Sequence, residues 1–310
     1  MTECFLSFLL AAMAAFCLTF AVRRLAHRCG ALDRPQQRKV HLQPIPTWGG
    51  LGLFGGIVVA ALVFCPVDKG LVGILLGSAL LVLTGLVDDR FDMRAVQKLV
   101  CQIGAALVLL GFGVGIRGFT HPLTGDYLSL AAWQTWLATI LWVVCITNTL
   151  NLIDGLDGLA AGVSCLSAGT LSVLALQQGY GEVAILAAAV SGGCLGFLRH
   201  NFNPARIFMG DTGSQMLGFL LAAIAVAGTV KKPAVIAILV PVLILGVPVT
   251  DTLLAVIRRS WRRESIFSAD REHLHHRLLD RGLSQKQVVL VLYGVTAVLC
   301  MLALAVSHYA

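Results

Sequence analysis

Charged residues are scarce in this sequence. Asp, Glu, Lys and Arg make up 13% of its 310 residues, whereas hydrophobic residues make up 57%. Soluble proteins carry roughly 25% charged residues, so this balance excludes a disordered chain and argues strongly against a soluble globular domain. It also excludes an ordinary nucleic-acid-binding protein in spite of the net charge of +7, because such proteins spread basic residues over a wet surface. The composition therefore predicts a polytopic membrane protein without a nucleic-acid partner.

The hydrophobic residues are gathered in ten runs that predict transmembrane helices. A helix needs roughly 20 apolar residues to cross a bilayer, and these runs are continuous rather than alternating, which favours helices over a β-barrel. The fold class that we predict is all-α, with a single integral-membrane domain over residues 1–310. The ten predicted spans are 4–22, 47–65, 71–87, 99–117, 132–149, 158–177, 183–198, 213–230, 234–256 and 287–307.

The basic residues lie almost entirely on one side of the predicted membrane. Every second loop, counted from the one after the first span, holds 19 of the 23 Lys and Arg residues. Because cytoplasmic loops carry the excess of Lys and Arg, we expect this side to be cytoplasmic and both termini to lie outside. The chain is then a multi-pass protein of the plasma membrane, and its longest cytoplasmic loop is 258–286.

The few acidic residues gather on the same side, where 12 of the 16 Asp and Glu residues fall. The topology rule does not require this, because acidic residues contribute little to orientation. Asp88 and Asp89 follow the apolar run of the third predicted span directly. A helix cap in a solvated loop would also account for them, but charges joined to an apolar run favour a functional site.

A second acidic motif combines Asn151, Asp154 and Asp157 at spacings of three, which on a helix would form one stripe. The segment 148–158 contains no Lys or Arg to neutralise its two carboxylates. A divalent cation could do so, and a set of oxygen ligands selects Mg²⁺, Ca²⁺ or Mn²⁺ over zinc. The alternative is a simple turn, because Asp-Gly is a common turn signal.

Two further motifs on this side are suited to anionic ligands. Asp211 lies between two glycines at the start of the eighth predicted span, where a helix N-terminus offers free N–H groups to phosphate oxygens. A His- and Arg-rich segment lies in the last cytoplasmic loop. Its spacing does not fit a zinc site on one helix face, so we interpret it as a cationic grip on an anion. Its residues are His273, His275, His276 and Arg277.

At these residues the chain resembles the polyprenyl-phosphate N-acetylhexosamine-1-phosphate transferase family, of the glycosyltransferase family 4 type. The resemblance covers nearly the whole chain, and five motifs in the same order make it specific. The motifs are Pro46-Thr47-Trp48-Gly49-Gly50, Asp88-Asp89 with Lys98, Asn151-Leu-Ile-Asp154-Gly-Leu-Asp157-Gly, Phe208-Met-Gly-Asp211-Thr-Gly-Ser and His273-Leu-His275-His276-Arg277-Leu.

The resemblance implies a phosphoglycosyltransferase reaction. A UDP-N-acetylhexosamine gives its sugar phosphate to a polyprenyl phosphate such as undecaprenyl phosphate, and UMP is released. The product is the first lipid-linked intermediate of a cell-envelope polysaccharide. Mg²⁺ is the implied cofactor, with Mn²⁺ as a substitute, and a homodimer is expected by analogy with the family.

The resemblance also implies roles for individual residues. It makes Asp211 a Mg²⁺ ligand, and Asp154 is the second metal ligand that we predict. Asp88 would activate the lipid phosphate with the support of Asp89, and Lys98 would pair with that phosphate.

The nucleotide and the sugar phosphate have their own implied residues. Asn151, Asp154 and Asp157 would bind the nucleotide and organise the site, and Phe208 would stack on uracil. The residues implied to hold the diphosphate or the sugar are His273, His275, His276 and Arg277.

The choice of sugar leaves alternatives open. The sister branch, which transfers phospho-MurNAc-pentapeptide, has three His residues in the last cytoplasmic loop, whereas this chain reads His-Leu-His-His-Arg and is more similar to the N-acetylglucosamine branch. We therefore expect UDP-GlcNAc as the donor. An ion-coupled secondary transporter would carry its acidic residues near the membrane midplane, and a CDP-alcohol phosphatidyltransferase would need an Arg that the Asp154 motif lacks.

Overall fold

The computed structural model describes residues 1–33, 44–120, 126–228, 242–262 and 274–309. Within these ranges the chain is almost entirely helical, as the composition predicts. The helices are α1 (Thr2–Cys29), α2 (Gly49–Phe64), α3 (Lys69–Phe91), α4 (Ala95–Gly111), α5 (Ala132–Ile153), α6 (Leu159–Gln177), α7 (Gly181–Asn201), α8 (Gly210–Gly228), α9 (Gly246–Arg262), α10 (Leu274–Asp280) and α11 (Gln285–Tyr309).

Two short antiparallel hairpins complete the described elements. The first pairs β1 (Leu32–Asp33) with β2 (Ile45–Pro46), and the second pairs β3 (Gly118–Thr120) with β4 (Tyr127–Ser129). The first hairpin links the end of α1 to the start of α2. It thereby brings the chain back to the end of the helical bundle where the acidic motifs lie.

Seven helices of the described part of the chain are long and apolar enough to cross a membrane, namely α1, α3, α5, α6, α7, α8 and α11. The prediction of an all-helical, polytopic membrane protein is therefore confirmed. The apolar helices α2 and α4 have 16 and 17 residues and match two more predicted spans. The predicted span 234–256 lies partly outside the described residues. The number of ten spans and the outward orientation of both termini stay predictions.

The ends of two helices differ from their predicted positions. The predicted span 99–117 corresponds to α4, which ends at Gly111. Gly113 adopts the left-handed conformation there, and its N–H donates to the carbonyl of Leu110, a common way to end a helix. At the other end of the bundle, α5 continues four residues beyond the predicted end of its span and stops at Ile153. This extension carries Asn151 into the site.

The centre of the bundle is α8. Its most apolar stretch is 83% buried, against 28% for α1, because α2, α3, α5 and α6 all pack around it. Small residues permit close approach: a Cβ at Gly85 of α3 would collide with the backbone of Thr212, and one at Gly218 of α8 would collide with the backbone of Thr147. This packing places the start of α8 between the end of α3 and the end of α5.

Candidate active site

Four helix ends converge at one end of the bundle. There α3 and α5 end, and α4 and α8 begin. The side chain of Lys98, near the start of α4, forms ion pairs with Asp88 of α3 and with Asp211 of α8, and its Nζ lies 2.6 Å from Asp211 Oδ2. Residues that are 113 positions apart in the chain thus meet at a single ammonium group. The structure therefore brings together Asp88, Lys98 and Asp211, as the sequence predicts.

Asp211 is the most connected side chain of this cluster. Its Oδ2 binds Lys98, and its Oδ1 accepts a hydrogen bond of 2.8 Å from Asn151 Nδ2. The same Asn151 amide nitrogen lies 2.9 Å from Ser214 Oγ, one turn along α8. Both oxygens of Asp211 are therefore held, which fixes the direction of its carboxylate at the N-terminus of α8.

Asp89 contacts the start of α8, whereas its neighbour Asp88 contacts Lys98. Its Oδ1 accepts a hydrogen bond of 2.8 Å from the Asp211 backbone N–H, and its Oδ2 accepts one of 2.7 Å from the Thr212 hydroxyl. These contacts cap the N-terminus of α8 from another helix, where free N–H groups favour a carboxylate. Gly210 is required here, because it has a φ of 69° and a Cβ would collide with the Asp89 carboxylate. Asp89 thus positions Asp211 through its backbone.

The Pro-Thr-Trp-Gly-Gly motif runs alongside the segment that leads into α8. Phe208 N–H donates to the Pro46 carbonyl over 2.8 Å, and the N–H groups of Gly49 and Gly50 donate to the carbonyls of Phe208 and Met209 over 3.0 Å. A Cβ on Gly49 would collide with the Phe208 carbonyl, so the approach depends on glycine. The motif holds the backbone of Phe208, whose half-buried side chain lies beside the start of α8.

The second acidic motif does not form a helical stripe. Asn151 is helical, but α5 ends at Ile153, and residues 154–158 form a turn before α6. The three side chains therefore do not share one helix face, and the two Asp residues lie in a turn, whose part in the site stays a prediction. The reason is the glycine content of the turn, in which Gly158 adopts a φ of 81°, a conformation that side chains with a Cβ disfavour.

Asp157 fastens this turn to the connection between α7 and α8. Its Oδ2 accepts hydrogen bonds of 3.0 Å from Asn203 Nδ2 and 2.9 Å from the Ala205 N–H. In return, Asn201 Oδ1 accepts a hydrogen bond of 3.0 Å from the Gly158 N–H. The second and third motifs of the sequence therefore interlock, and Asp157 organises the site through these contacts.

The last helix supports the same turn from the other side. Tyr293 Oη donates to the Gly158 carbonyl over 2.6 Å, and Gln285 Oε1 accepts a hydrogen bond of 2.7 Å from Asn203 Nδ2. Sequence reasoning missed these two residues, because a lone Gln at a helix start and a lone Tyr within an apolar helix carry no functional pattern. Their partners are more than eighty positions away in the chain.

Among the carboxylates of this site, Asp154 has the fewest protein groups that could stabilise its negative charge. It accepts no hydrogen bond from the residues that the structure describes, unlike Asp157. Burial raises its pKa to about 8, and the negative charges of Asp211, Asp89 and Asp157 raise it further in the same direction. A cation bound beside this carboxyl group would favour its ionised form.

The chemistry of the cluster fits a hard divalent cation that takes some of its ligands from the protein and the others from a substrate. Within the described ranges, no group of three or more His, Cys, Asp or Glu side chains is arranged to hold a metal. Asp211 and Asp154 offer two carboxylates. Mg²⁺ is usually bound by one or two carboxylates, with waters and substrate phosphates completing its octahedron.

The His- and Arg-rich segment is described only in part. His273 lies outside the described residues, as do the side chains of His275 and His276. Arg277 lies on α10 and is exposed. The role of these four residues stays a prediction.

Asp251 holds the start of this segment and was missed as a site residue. It is buried on α9, and its Oδ1 accepts a hydrogen bond of 2.7 Å from the Leu274 N–H. An acidic residue inside an apolar run marks a functional position in a membrane protein, and that signal could have identified it. Asp251 fixes where α10 begins, and with it the backbone on which the His-rich segment continues.

Comparisons with known proteins agree with this arrangement of motifs. The model of the family described as glycosyl transferase family 4 matches residues 71–229. The chain is 38% identical over 288 residues to the probable undecaprenyl-phosphate N-acetylglucosaminyl 1-phosphate transferase of Bacillus subtilis, covering 93% of this chain and 80% of that protein. It is 39% identical over 314 aligned positions to the decaprenyl-phosphate N-acetylglucosaminephosphotransferase of Mycobacterium tuberculosis, covering 92% and 78%.

A relative from another branch is also similar. The phospho-N-acetylmuramoyl-pentapeptide-transferase of Moorella thermoacetica is 34% identical over 298 residues, covering 91% of each chain. The matched family region contains Asp88, Asp89, Lys98, the Asn151–Asp157 motif and Asp211, all of which lie at the converging helix ends. From these matches and this geometry we conclude that the chain belongs to glycosyl transferase family 4.

Proposed function

We propose that the protein transfers N-acetylglucosamine 1-phosphate from UDP-GlcNAc to a polyprenyl phosphate and releases UMP. The observation that carries the proposal is the junction of Asp88, Lys98 and Asp211 at the end of apolar helices. This junction offers one cation and two carboxylates where a lipid headgroup can reach them. The names of the Bacillus and Mycobacterium relatives support a polyprenyl-phosphate acceptor and an N-acetylglucosamine phosphate donor.

The reaction is a displacement at phosphorus. An oxygen of the lipid phosphate bonds to the phosphorus that carries the sugar, and the bond from that phosphorus to the bridging diphosphate oxygen breaks. The bridging oxygen leaves with UMP. A phosphate monoester has its second pKa near 6, so the nucleophile is already largely ionised at neutral pH. The protein then needs to position the nucleophile more than to deprotonate it.

Lys98 and Asp88 are suited to this positioning. The Lys98 ammonium sits between two carboxylates and can exchange one of them for a lipid phosphate oxygen while it keeps the other. Asp88 also accepts a hydrogen bond of 2.8 Å from the Met93 N–H through its other oxygen, which anchors it at the end of α3. Its role is to orient Lys98, and through Lys98 the attacking phosphate.

Asp211 and Asp154 are the residues that would hold Mg²⁺. When bound, the ion would neutralise the diphosphate and stabilise the UMP leaving group. Asn151 would keep Asp211 in its direction, and Asp157 would keep the turn of Asp154 in place. We further propose that Phe208 stacks on uracil and that the four His and Arg residues of 273–277 hold the diphosphate or the sugar.

The same proposal includes the membrane arrangement. Ten spans would place both termini outside and the site at the cytoplasmic face of the plasma membrane, where nucleotide sugars are available, with 258–286 as a substrate-binding loop. A homodimer is expected from family analogy. The charged cluster lies at the ends of its helices rather than at their middles, which argues against an ion-coupled transporter.

The test is an assay of UMP release with purified protein. Undecaprenyl phosphate and Mg²⁺ are mixed with UDP-GlcNAc or with UDP-MurNAc-pentapeptide, and reactions without lipid or with EDTA serve as controls. We expect UMP only with UDP-GlcNAc, lipid and Mg²⁺ together. Turnover with the pentapeptide donor alone would move the protein to the sister branch. The absence of UMP with either donor would refute the transferase.

A further inference from the structure

Three amide side chains meet between α4, α5 and α8, below the charged cluster. Asn148 Nδ2 donates to Gln102 Oε1 over 2.7 Å, and Gln102 Nε2 lies 3.3 Å from both Asn148 Oδ1 and Gln215 Oε1. Gln102 is 1% exposed and Gln215 is fully buried. We call Gln102, Asn148 and Gln215 the amide layer.

The amide layer repeats the charged cluster one helix turn deeper in the bundle. Residues three or four positions apart lie on the same helix face. Each amide is separated by such an interval from a residue of the charged cluster on its own helix. The pairs are Lys98 with Gln102 on α4, Asn151 with Asn148 on α5, and Asp211 with Gln215 on α8.

The hydrogen bonds of the amide layer permit only one arrangement. Gln102 Nε2 gives one hydrogen to Asn148 and one to Gln215, and Asn148 Nδ2 gives its two to Gln102 and to the Val144 carbonyl. A flipped Gln215 would turn a donor toward a donor, which loses a hydrogen bond. A rotation of any one helix would break at least one contact, so the layer specifies how the three helices face each other.

Stability gives little reason to keep amides at this depth. Interhelical hydrogen bonds in membranes contribute modestly to stability, and replacing all partners of a buried network by apolar side chains of similar size is often nearly neutral. Gln215 Nε2 even lacks a hydrogen-bond partner among the described residues. The advantage of this network over three leucines is therefore that its hydrogen bonds determine the relative orientation of the three helices.

We propose that Gln102, Asn148 and Gln215 are positioning residues that fix the facing of α4, α5 and α8, and thereby the contacts of Lys98 and Asn151 with Asp211. This role rests on the proposed function, because it orients the groups of that same reaction. The amide layer does not touch substrate. It acts by setting the positions of Lys98, Asn151 and Asp211, which lie one helix turn away.

The test compares a triple variant with wild-type protein. Gln102→Leu/Asn148→Leu/Gln215→Leu removes every member of the network, so no amide is left unpaired. We expect kcat for UMP release to fall about 10²-fold, the effect of a displacement of about 1 Å at a reacting group. KM for UDP-GlcNAc and the thermal midpoint in detergent should stay close to the wild-type values.

A matched pair and a control separate geometry from folding. Gln215→Leu should lose most of the rate, whereas Gln215→Glu, neutral when buried, keeps the acceptor for Gln102 and should recover it. Thr147→Val removes a neighbouring buried hydroxyl that has no hydrogen-bond partner among the described residues, and it should leave kcat unchanged.

Each outcome decides the proposal. An active wild type together with a triple variant of near-normal kcat would refute the positioning role and leave the transferase standing. A loss of activity that follows a large fall in thermal midpoint would assign the amide layer to folding and also overturn the role. A wild type that releases no UMP refutes the transferase itself, and the positioning role is withdrawn with it.

Discussion

The acidic residues at the two ends of α3 illustrate two uses of a carboxylate. Asp68 precedes the helix, and its Oδ1 accepts a hydrogen bond of 2.7 Å from the Leu71 N–H of the same helix. Asp88 and Asp89 lie in the last turn, where the helix dipole disfavours a negative charge. They are held from outside, Asp88 by Lys98 of α4 and Asp89 by the first residues of α8.

The two ends of α3 differ in a way that helps to identify functional carboxylates in a membrane bundle. A carboxylate that caps its own helix, as Asp68 does, is sufficiently explained by that helix. A carboxylate at a helix C-terminus is unfavourable alone, so it persists only with partners from other elements, and those partners define a site. We expect substitutions at the Asp88–Asp211 end to impair catalysis and substitutions at the Asp68 end to affect stability alone.

The largest effect should come from Asp211→Asn. The change removes the charge that binds Lys98 and that would hold Mg²⁺, while the amide keeps the size of the side chain and the helix can still insert. We expect UMP release to fall about 10³-fold, at the upper end of the effect of losing one electrostatic contact in an active site. Near-normal rates at saturating Mg²⁺, with equal amounts of purified protein, would remove Asp211 from the metal role.

The position of Asp211 at the start of a helix, on the same side as the other acidic motifs, could be predicted from the sequence. The Gly-Asp-Thr-Gly-Ser motif indicated a helix start, and the apolar runs on either side indicated where the helices end. Because antiparallel neighbours in a bundle bring their ends together, Asp88, Lys98, Asn151 and Asp211 could be expected on one side. The apolar pattern sufficed for this, because lipid forces the helices to span the bilayer.

The contacts within the site could not be predicted in the same way. Asp88 and Asp89 are identical neighbours in the sequence, but they point to different helices. Which one meets Lys98 and which one caps α8 depends on the rotation of α3 in the bundle. The sequence left open whether the segment after Ile153 is a helix or a turn, because three-residue spacing fits both and the left-handed Gly158 favours the turn.

A smaller effect is expected at Asp89, which lies at the same end of α3 but caps α8 instead of meeting Lys98. Asp89→Ala removes the acceptors for the Asp211 N–H and the Thr212 hydroxyl, so the start of α8 loses its cap. We expect kcat to fall about 10-fold to 10²-fold through displacement of Asp211. The loss of the cap should lower stability by about 1 kcal/mol.

Two further variants test this reading of Asp89. Asp89→Asn keeps one acceptor oxygen and should retain more activity than Asp89→Ala. Asp92→Asn serves as the control, because Asp92 is exposed at the end of the same helix in a left-handed conformation that Asn tolerates. If Asp89→Asn were as inactive as Asp211→Asn, the charge of Asp89 would act on the reaction directly, and its role as a cap would be insufficient.

The smallest effect is expected at the other end of α3, with Asp68→Ala. The change removes a cap from the helix start, so the thermal midpoint should fall by an amount equivalent to about 1 kcal/mol, and Asp68→Asn should restore it. The rate of UMP release should stay within about twofold of wild type, because surface and cap positions affect folding rather than a distant reaction. Asp68 and the Asp88–Asp89 pair are twenty residues apart on one helix, or about 30 Å along its axis. A loss of kcat in Asp68→Ala at unchanged thermal midpoint would mean that this end also serves the reaction, and the distinction between local and convergent carboxylates would no longer hold.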